Sequence, residues 1–175
     1  MDERELLILG LLKAQSQHGY QINEFIERNL GRVSDMKKST AYTLLKRLDH
    51  SGYVEATVEQ EGNRPPKMVY SITSLGKKKF EELLKSTLVE VEDVTPAGDI
   101  GIMFLDHLPP EDILSCLQER LKKVNTLIQM YEKAPQHGHG IGVDMSIQHR
   151  IVLLLTDRDW LSKGIEQVSL GLSKR

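Results

Sequence analysis

The groups best equipped for chemistry in this 175-residue chain are one cysteine, six histidines and a cluster of cations and hydroxyls. Cys116, His107, His137, His139 and His149 offer ligand atoms that a divalent metal accepts, but none stands at the CxxC or HxxxH spacing of a built site. His137-Gly138-His139 falls inside a Gly- and His-rich stretch, 134–144, that reads as a loop. A metal or redox sensor using Cys116 therefore stands only as an alternative, and the expected metal and cofactor content is none. The chain has no Gly-rich phosphate loop, no nucleophile with a spaced base and no convincing carboxylate pair, so it is read as a binding protein and not an enzyme.

The cations and hydroxyls say more. Net charge is -2, but residues 1–79 hold 13 Lys/Arg against 10 Asp/Glu, while 80–175 hold 10 against 15. Residues 28–79 alone hold 11 against 5, which concentrates positive charge where a phosphate backbone can use it. Within that stretch Lys37 and Lys38 open a helical segment, where cations oppose the helix dipole unless an anion docks there. Phosphate contact is the expectation for this pair and for Lys46; a solvated pair tolerated at small cost is the alternative. Tyr42 can offer its hydroxyl to a phosphate or base edge and its ring to a thymine methyl, or else pack on the first helix. Ser39, Thr40 and Thr43 serve equally as capping or back-bonding groups and as groove contacts. Asn63, Arg64 and Lys67 cluster at a Pro-stiffened turn, where cations can reach a minor groove or flanking phosphates.

These side chains need a scaffold, and the hydrophobic pattern supplies one. Residues 3–14, around Leu6-Leu7-Ile8-Leu9, read as a first helix, and 20–30 as a second, with Ile22, Phe25 and Ile26 at helical spacing and Gly31 as its stop. A third helix over Lys38–Ser51 places Ala41, Leu44, Leu45 and Leu48 on one face and Ser39, Thr43, Lys46, Arg47 and His50 on the other. The period then changes to two. Val54, Ala56 and Val58 alternate in one strand and Met68, Tyr70 and Ile72 in another, joined by a turn at Gln60–Lys67 with Gly62, Pro65 and Pro66. Thr73 is the expected N-cap of a fourth helix with Leu75, Phe80, Leu83, Leu84 and Leu88 apolar. Three helices, a hairpin and a helix within about 85 residues are the plan of a winged helix-turn-helix.

Beyond Thr95-Pro96-Ala97-Gly98 the character changes. Asp99–His107 is a short amphipathic segment, and Leu108-Pro109-Pro110-Glu111-Asp112 reads as a helix start. Ile113, Leu117, Leu121, Val124, Ile128 and Tyr131 then form a near-heptad seam. A last helix over 145–168 carries Ile151, Leu154/Leu155, Leu161, Ile165 and Val168 on one face. The two helices can pack on each other, on the N-terminal domain or on a second subunit. A dimer through Ile113, Leu117, Leu121, Val124, Ile128, Ile151, Leu155, Leu161 and Ile165 is the expectation. Trp160, the one tryptophan, is a core or interface anchor or, in the sharper reading, a contact for an aromatic effector. The fold expected is mainly α with a small β-hairpin: a winged-helix DNA-binding domain over 1–90 and a helical dimerisation and effector domain over 96–175. Composition agrees with a soluble, folded protein at 39% hydrophobic and 27% charged residues. The acidic start has no signal-peptide layout, no apolar run approaches the ~18–20 residues of a membrane span, and a single cysteine suits a reducing cytoplasm.

The motifs Leu9-Gly10-Leu11-Leu12, His18-Gly19-Tyr20-Gln21-Ile22, Thr40-Ala41-Tyr42-Thr43-Leu44-Leu45-Lys46-Arg47-Leu48, Ser51-Gly52-Tyr53-Val54 and Val69-Tyr70-Ser71-Ile72-Thr73-Ser74-Leu75-Gly76, in this order, resemble the PadR family of bacterial transcriptional regulators. The match covers residues 5–85 closely. The C-terminal part is similar in layout to the longer branch of that family. The resemblance implies a homodimeric repressor that binds a palindromic operator in double-stranded DNA and responds to a small aromatic ligand, a drug-like compound or another stress signal. A winged-helix module that docks on protein instead of DNA is the rival reading.

Overall fold

The computed structural model describes residues 3–18, 22–28, 30, 34–60, 62, 65–91, 93, 95, 96, 98–134 and 141–173. Gly19, Tyr20, Gln21 and Gly31 of the expected motifs, the wing-tip residues Asn63 and Arg64, and the loop histidines His137 and His139 lie outside the described residues. The chain forms two compact units, Met1–Asp93 and Val94–Arg175.

The first unit holds α1 (Glu3–His18), α2 (Ile22–Arg28), α3 (Lys38–His50), β1 (Val54–Glu59), β2 (Lys67–Ile72) and α4 (Ser74–Val89). α1 runs four residues past the expected end, and α2 lies within the 20–30 expected. Their apolar faces meet in one core: Ile8, Leu9 and Leu12 of α1, Ile22 and Ile26 of α2, Leu45 and Leu48 of α3, with Val54 and Ile72 of the strands. α3 ends in a tight reversal. Tyr53 N donates to Leu48 O and Gly52 N to Asp49 O, both at 2.9 Å. Gly52 sits at φ 74°, a left-handed conformation that glycine adopts without a Cβ penalty. That paired arrangement satisfies the last carbonyls of α3 and turns the chain directly into β1.

The strands pair antiparallel from Val54↔Ile72 to Glu59↔Lys67. The inward face fades toward the tip: Val54 is buried, whereas the Val58↔Met68 pair is exposed at 66% and 44%. Met68, on the face that it shares with Tyr70 and Ile72, is exposed, while its neighbour Val69 is buried. α2 holds this strand through Asn23, whose Nδ2 donates to the Met68 carbonyl at 2.7 Å.

Thr73 caps α4 as expected, its Oγ1 accepting from Gly76 N at 3.0 Å while donating to the Gly52 carbonyl at 2.7 Å. Of the apolar positions expected on α4, Leu83 is buried and Phe80 is half-buried against α1, but Leu75, Leu84 and Leu88 are exposed. α1 offers α4 a single line of contact. Phe80 fills it where Gly10 lets the ring approach: a Cβ there would lie 3.1 Å from Phe80 Cε2.

The second unit holds α5 (Asp99–Met103), a single 3-10 turn (Leu105–His107), α6 (Pro110–Glu132) and α7 (Gly142–Ser173). α6 begins as its sequence requires, with Pro110 in the first turn, where its missing N–H has no intrahelical partner to lose, and with Glu111 and Asp112 at the positive end of the dipole. α7, 32 residues long, extends the expected 145–168 at both ends. α6 and α7 form an antiparallel hairpin, since Arg120 meets Asp157 while Tyr131, further along, meets Arg150. Its core is Val124, Ile128 and Leu161, flanked by Leu117, Leu121, Leu154 and Leu155. No helix among the described residues is long and apolar enough to cross a membrane.

Candidate nucleic-acid interface and ligand pocket

α3 is a two-faced helix. Ala41, Leu44, Leu45 and Leu48 are buried in the core of the first unit, and at about 100° per residue the diametrically opposite line is Ser39, Thr43, Lys46 and His50, all exposed. Lys37 is the extended residue that precedes the helix, and no side chain caps it. Lys37 and Lys38, both exposed, stand at the first turn of the helix. Thr43 makes the local bond that its type permits, donating to the Ser39 carbonyl at 2.9 Å. Thr40 is half-buried. Lys67 is exposed at the far end of the hairpin, opposite Glu59 in register.

A carboxylate that sequence reasoning missed organises the start of α3. Glu27 of α2 accepts from Lys38 Nζ at 2.6 Å through Oε2 and from the Tyr42 hydroxyl at 3.4 Å through Oε1. The Lys38 hydrogen bond is the main reason that the Glu27 carboxyl titrates below its ordinary value. Burial, and after it the charge of Glu27, push the Tyr42 hydroxyl above its usual pKa. Tyr42 thus does two things at once: its ring packs against the core and its hydroxyl reaches the surface at Glu27. No local signal announces Glu27, which precedes Lys38 by 11 residues and lies on another helix.

The second unit presents another site. Trp160, 45% exposed, lines a cavity of about 810 Å³ with Ile102 and Met103 of α5, Leu153 and Asp157 of α7, Arg120 of α6, and Asp99. Arg120 and Asp157 pair across the hairpin at 3.0 and 3.3 Å. Gly98, at φ 96°, brings the backbone close over that pair, since a Cβ there would lie 2.8 Å from Arg120 Nη1. Sequence reasoning found Trp160 but not Arg120, Asp157 or Asp99. The ion pair joins positions 37 residues apart.

The seam assigned to a dimer is largely turned inward. Ile113, Val124, Ile128 and Leu161 are buried, Leu161 completely, and Leu117, Leu121 and Leu155 pack on that same core. Ile151 and Ile165 are half-buried. The hairpin covers these side chains with its own second helix, so the buried ones have no surface left for a second subunit. Cys116 is exposed, and no group of three His, Cys, Asp or Glu able to hold a metal occurs among the described residues.

The model of the transcriptional regulator PadR-like family matches residues 8–82. The negative transcriptional regulator PadR of Bacillus subtilis is 28% identical over 130 residues, covering 72% of this chain and 71% of that protein. An uncharacterised protein of Lysinibacillus sphaericus is 30% identical over 88 residues, covering 50% of this chain and 80% of that protein. The chain belongs to the PadR-like family. Its fold matches that of Bacillus subtilis PadR in complex with operator DNA at a TM-score of 0.73, with 20% identity over 94% of this chain and 98% of that one. The same PadR in complex with p-coumaric acid matches at 0.71, with 19% identity over the same shares. At such identity the likeness is one of fold, and the winged-helix plan with C-terminal helices is the family's.

Proposed function

We propose that this transcriptional regulator is a dimeric, ligand-responsive repressor that reads a palindromic operator with α3 and responds through the pocket beside Trp160. The observation that carries the reading is the two-faced α3: its apolar side is committed to the core, leaving Ser39, Thr43, Lys46 and His50 in one exposed line with Lys37 and Lys38 at its start. A helix in that state enters a major groove with its N-terminal end toward the bases, while Lys37, Lys38 and Lys46 hold phosphates and the wing lies beside the duplex. Asn63, Arg64 and Lys67 are the wing residues assigned to the flanking backbone. The relatives support it, since Bacillus subtilis PadR is a negative regulator and has been crystallised with operator DNA and with p-coumaric acid. Such a protein works in the cytoplasm, where its operator is.

The dimer rests on the outer face of α7. Met145, Val152 and Leu170 fall on one line, roughly opposite Leu154 and Leu161, and are 59%, 57% and 55% exposed. The same line carries Thr156 and Lys163 between Val152 and Leu170, so its apolar side chains are separate patches on a mixed face, which a second copy covers in the proposed dimer. A palindromic operator with half-sites one turn apart requires two α3 helices about 34–36 Å apart.

The test is binding to the protein's own upstream DNA and to random duplex across a salt series. A preference of about 10³-fold or more with two chains per site is expected, and equal weak binding to both would favour the protein-docking rival. In the same series Lys37→Ala with Lys38→Ala should weaken binding on every sequence and lower the log–log salt slope by about two. An unchanged slope would remove these lysines from the phosphate contacts.

Glu27 leads to a separate prediction. Lys38 must leave this carboxylate to reach a phosphate, and the carboxylate then faces the polyanion. Glu27→Gln should therefore raise affinity for random duplex and for the operator alike by about three- to tenfold, because it removes the charge while its amide oxygen still accepts from Tyr42. Fluorescence anisotropy on the two duplexes measures both quantities, and unchanged values would reduce Glu27 to a surface ion pair.

A further inference from the structure

The pocket beside Trp160 has a charge of its own, and it differs in sign from what a carboxylate ligand needs. Its wall is mostly apolar, with Ile102, Met103 and Leu153 around the indole of Trp160. Three charged side chains also line it: Arg120, Asp157 and Asp99. The charge of Arg120 is already balanced, because its Nη2 bonds both oxygens of Asp157 at 3.0 and 3.3 Å. The two side chains are 29% and 30% exposed, an environment drier than the surface, in which recruiting the guanidinium for another anion would leave Asp157 facing a like charge. The Arg120–Asp157 pair is thus neutral as a unit. Asp99, half-buried at the start of α5, remains as the uncompensated charge on the wall, and the cavity as a whole carries one net negative charge.

We propose that this pocket selects a planar aromatic cation, an amine or related onium carried on a fused-ring body, and discriminates against aromatic carboxylates of the same shape. The proposal rests on the ligand-responsive reading above and specifies the ligand class for that site. The ring system lies among Ile102, Met103 and Leu153, where removal of apolar area from water drives binding. The cationic group faces the Asp99 carboxylate, and the indole of Trp160 adds its negative face, the best aromatic partner for a cation. A cavity of about 810 Å³ admits a body of three fused rings. An aromatic acid in the same place meets Asp99 as a like charge and finds Arg120 already engaged, so the selectivity arises from a repulsive element as well as an attractive one.

Three probes of one shape separate the possibilities: aminomethylanthracene, hydroxymethylanthracene and anthracenecarboxylate, which are cationic, neutral and anionic at neutral pH. Each is titrated into the full-length protein without DNA by calorimetry, and quenching of Trp160, the one tryptophan of the chain, reports that binding occurs at this pocket. Affinity should fall from cation to neutral to anion, with at least about tenfold between the first and last. In Asp99→Asn the cation should lose most of that advantage while the neutral probe binds as before, which also shows the variant folded with its pocket intact. Anion binding equal to or tighter than cation binding overturns the proposal, as does a cation preference that survives in Asp99→Asn. Failure of all three probes to quench Trp160 overturns it too. Because operator binding is measured separately, a failure here leaves the DNA-binding reading standing, and failure of operator binding leaves the probe ranking intact.

Discussion

Val152→Asp should yield a folded monomer whose operator affinity is lower by about a thousandfold. Val152 is 57% exposed in the protomer, so the substitution removes little intrachain packing and should change protomer stability by no more than about 0.5 kcal/mol. On the proposed interface the same position lies on the line of Met145 and Leu170, so a carboxylate there would be buried against the second copy. Loss of the dimer turns the second half-site contact from an intramolecular event into an independent one, and that change is worth about 10²–10⁴ in apparent affinity. Sedimentation equilibrium measures the assembly and a gel-shift titration the affinity. Leu153→Asp, on the pocket flank of the same helix, should disturb the dimer far less. If Val152→Asp remains dimeric, the interface lies on another face of the protein.

The contrast with the seam first assigned to the dimer shows what an apolar pattern can and cannot say. Ile113 to Ile128 repeat at heptad-like spacing, and such a stripe establishes that something covers it. It does not identify the cover. Val124 and Ile128 meet Leu161 of the same chain, because the segment after α6 lets α7 fold back on it. The outer side of α7 was hard to see for a related reason: Met145, Val152 and Leu170 interleave with Leu154 and Leu161 and share their line with the polar Thr156 and Lys163. Signals contained within a few residues fared better. The α3 faces, the Thr73 cap and the pairing of two strands depend on neighbours at short spacing, and the structure has them where the sequence puts them. The hairpin end failed because alternation records which side chains share a face, while what covers that face is set by the rest of the fold. Glu27 with Lys38, and Arg120 with Asp157, were invisible because each pair is made by the fold, between two helices, and nothing local marks either partner.

The close approach of Gly76 to the Tyr53 carbonyl joins the base of the wing to α4, and crowding it should be among the most destabilising single changes available. In Gly76→Ala the added Cβ would collide with the Tyr53 carbonyl oxygen and come within 2.9 Å of Ile72 Cγ1. The reason is space and not backbone conformation, since Gly76 is not among the glycines at positive φ. Neither side can give way. The Tyr53 carbonyl accepts from Thr73 N at 3.1 Å and from Thr73 Oγ1 at 3.2 Å, and Tyr53 N is held by Leu48 O at the end of α3. The Gly76 amide in turn is the donor that Thr73 caps. Alanine favours a helix over glycine by about 0.5–1 kcal/mol, but overpacking against a fixed backbone outweighs this, and a net loss of about 3 kcal/mol is expected. Gly164→Ala in α7 is the matched control, because a Cβ there meets nothing within 4 Å. It should leave the protein as stable or slightly more so. Urea unfolding of the two variants decides the matter: similar midpoints would mean that the Tyr53–Thr73–Gly76 contact is slack. A clear fall for Gly76→Ala alone would identify it as the joint that fixes the wing against α3. In that case operator affinity should also drop at temperatures where the variant is still folded, because the wing and α3 no longer keep the spacing that one stretch of duplex requires.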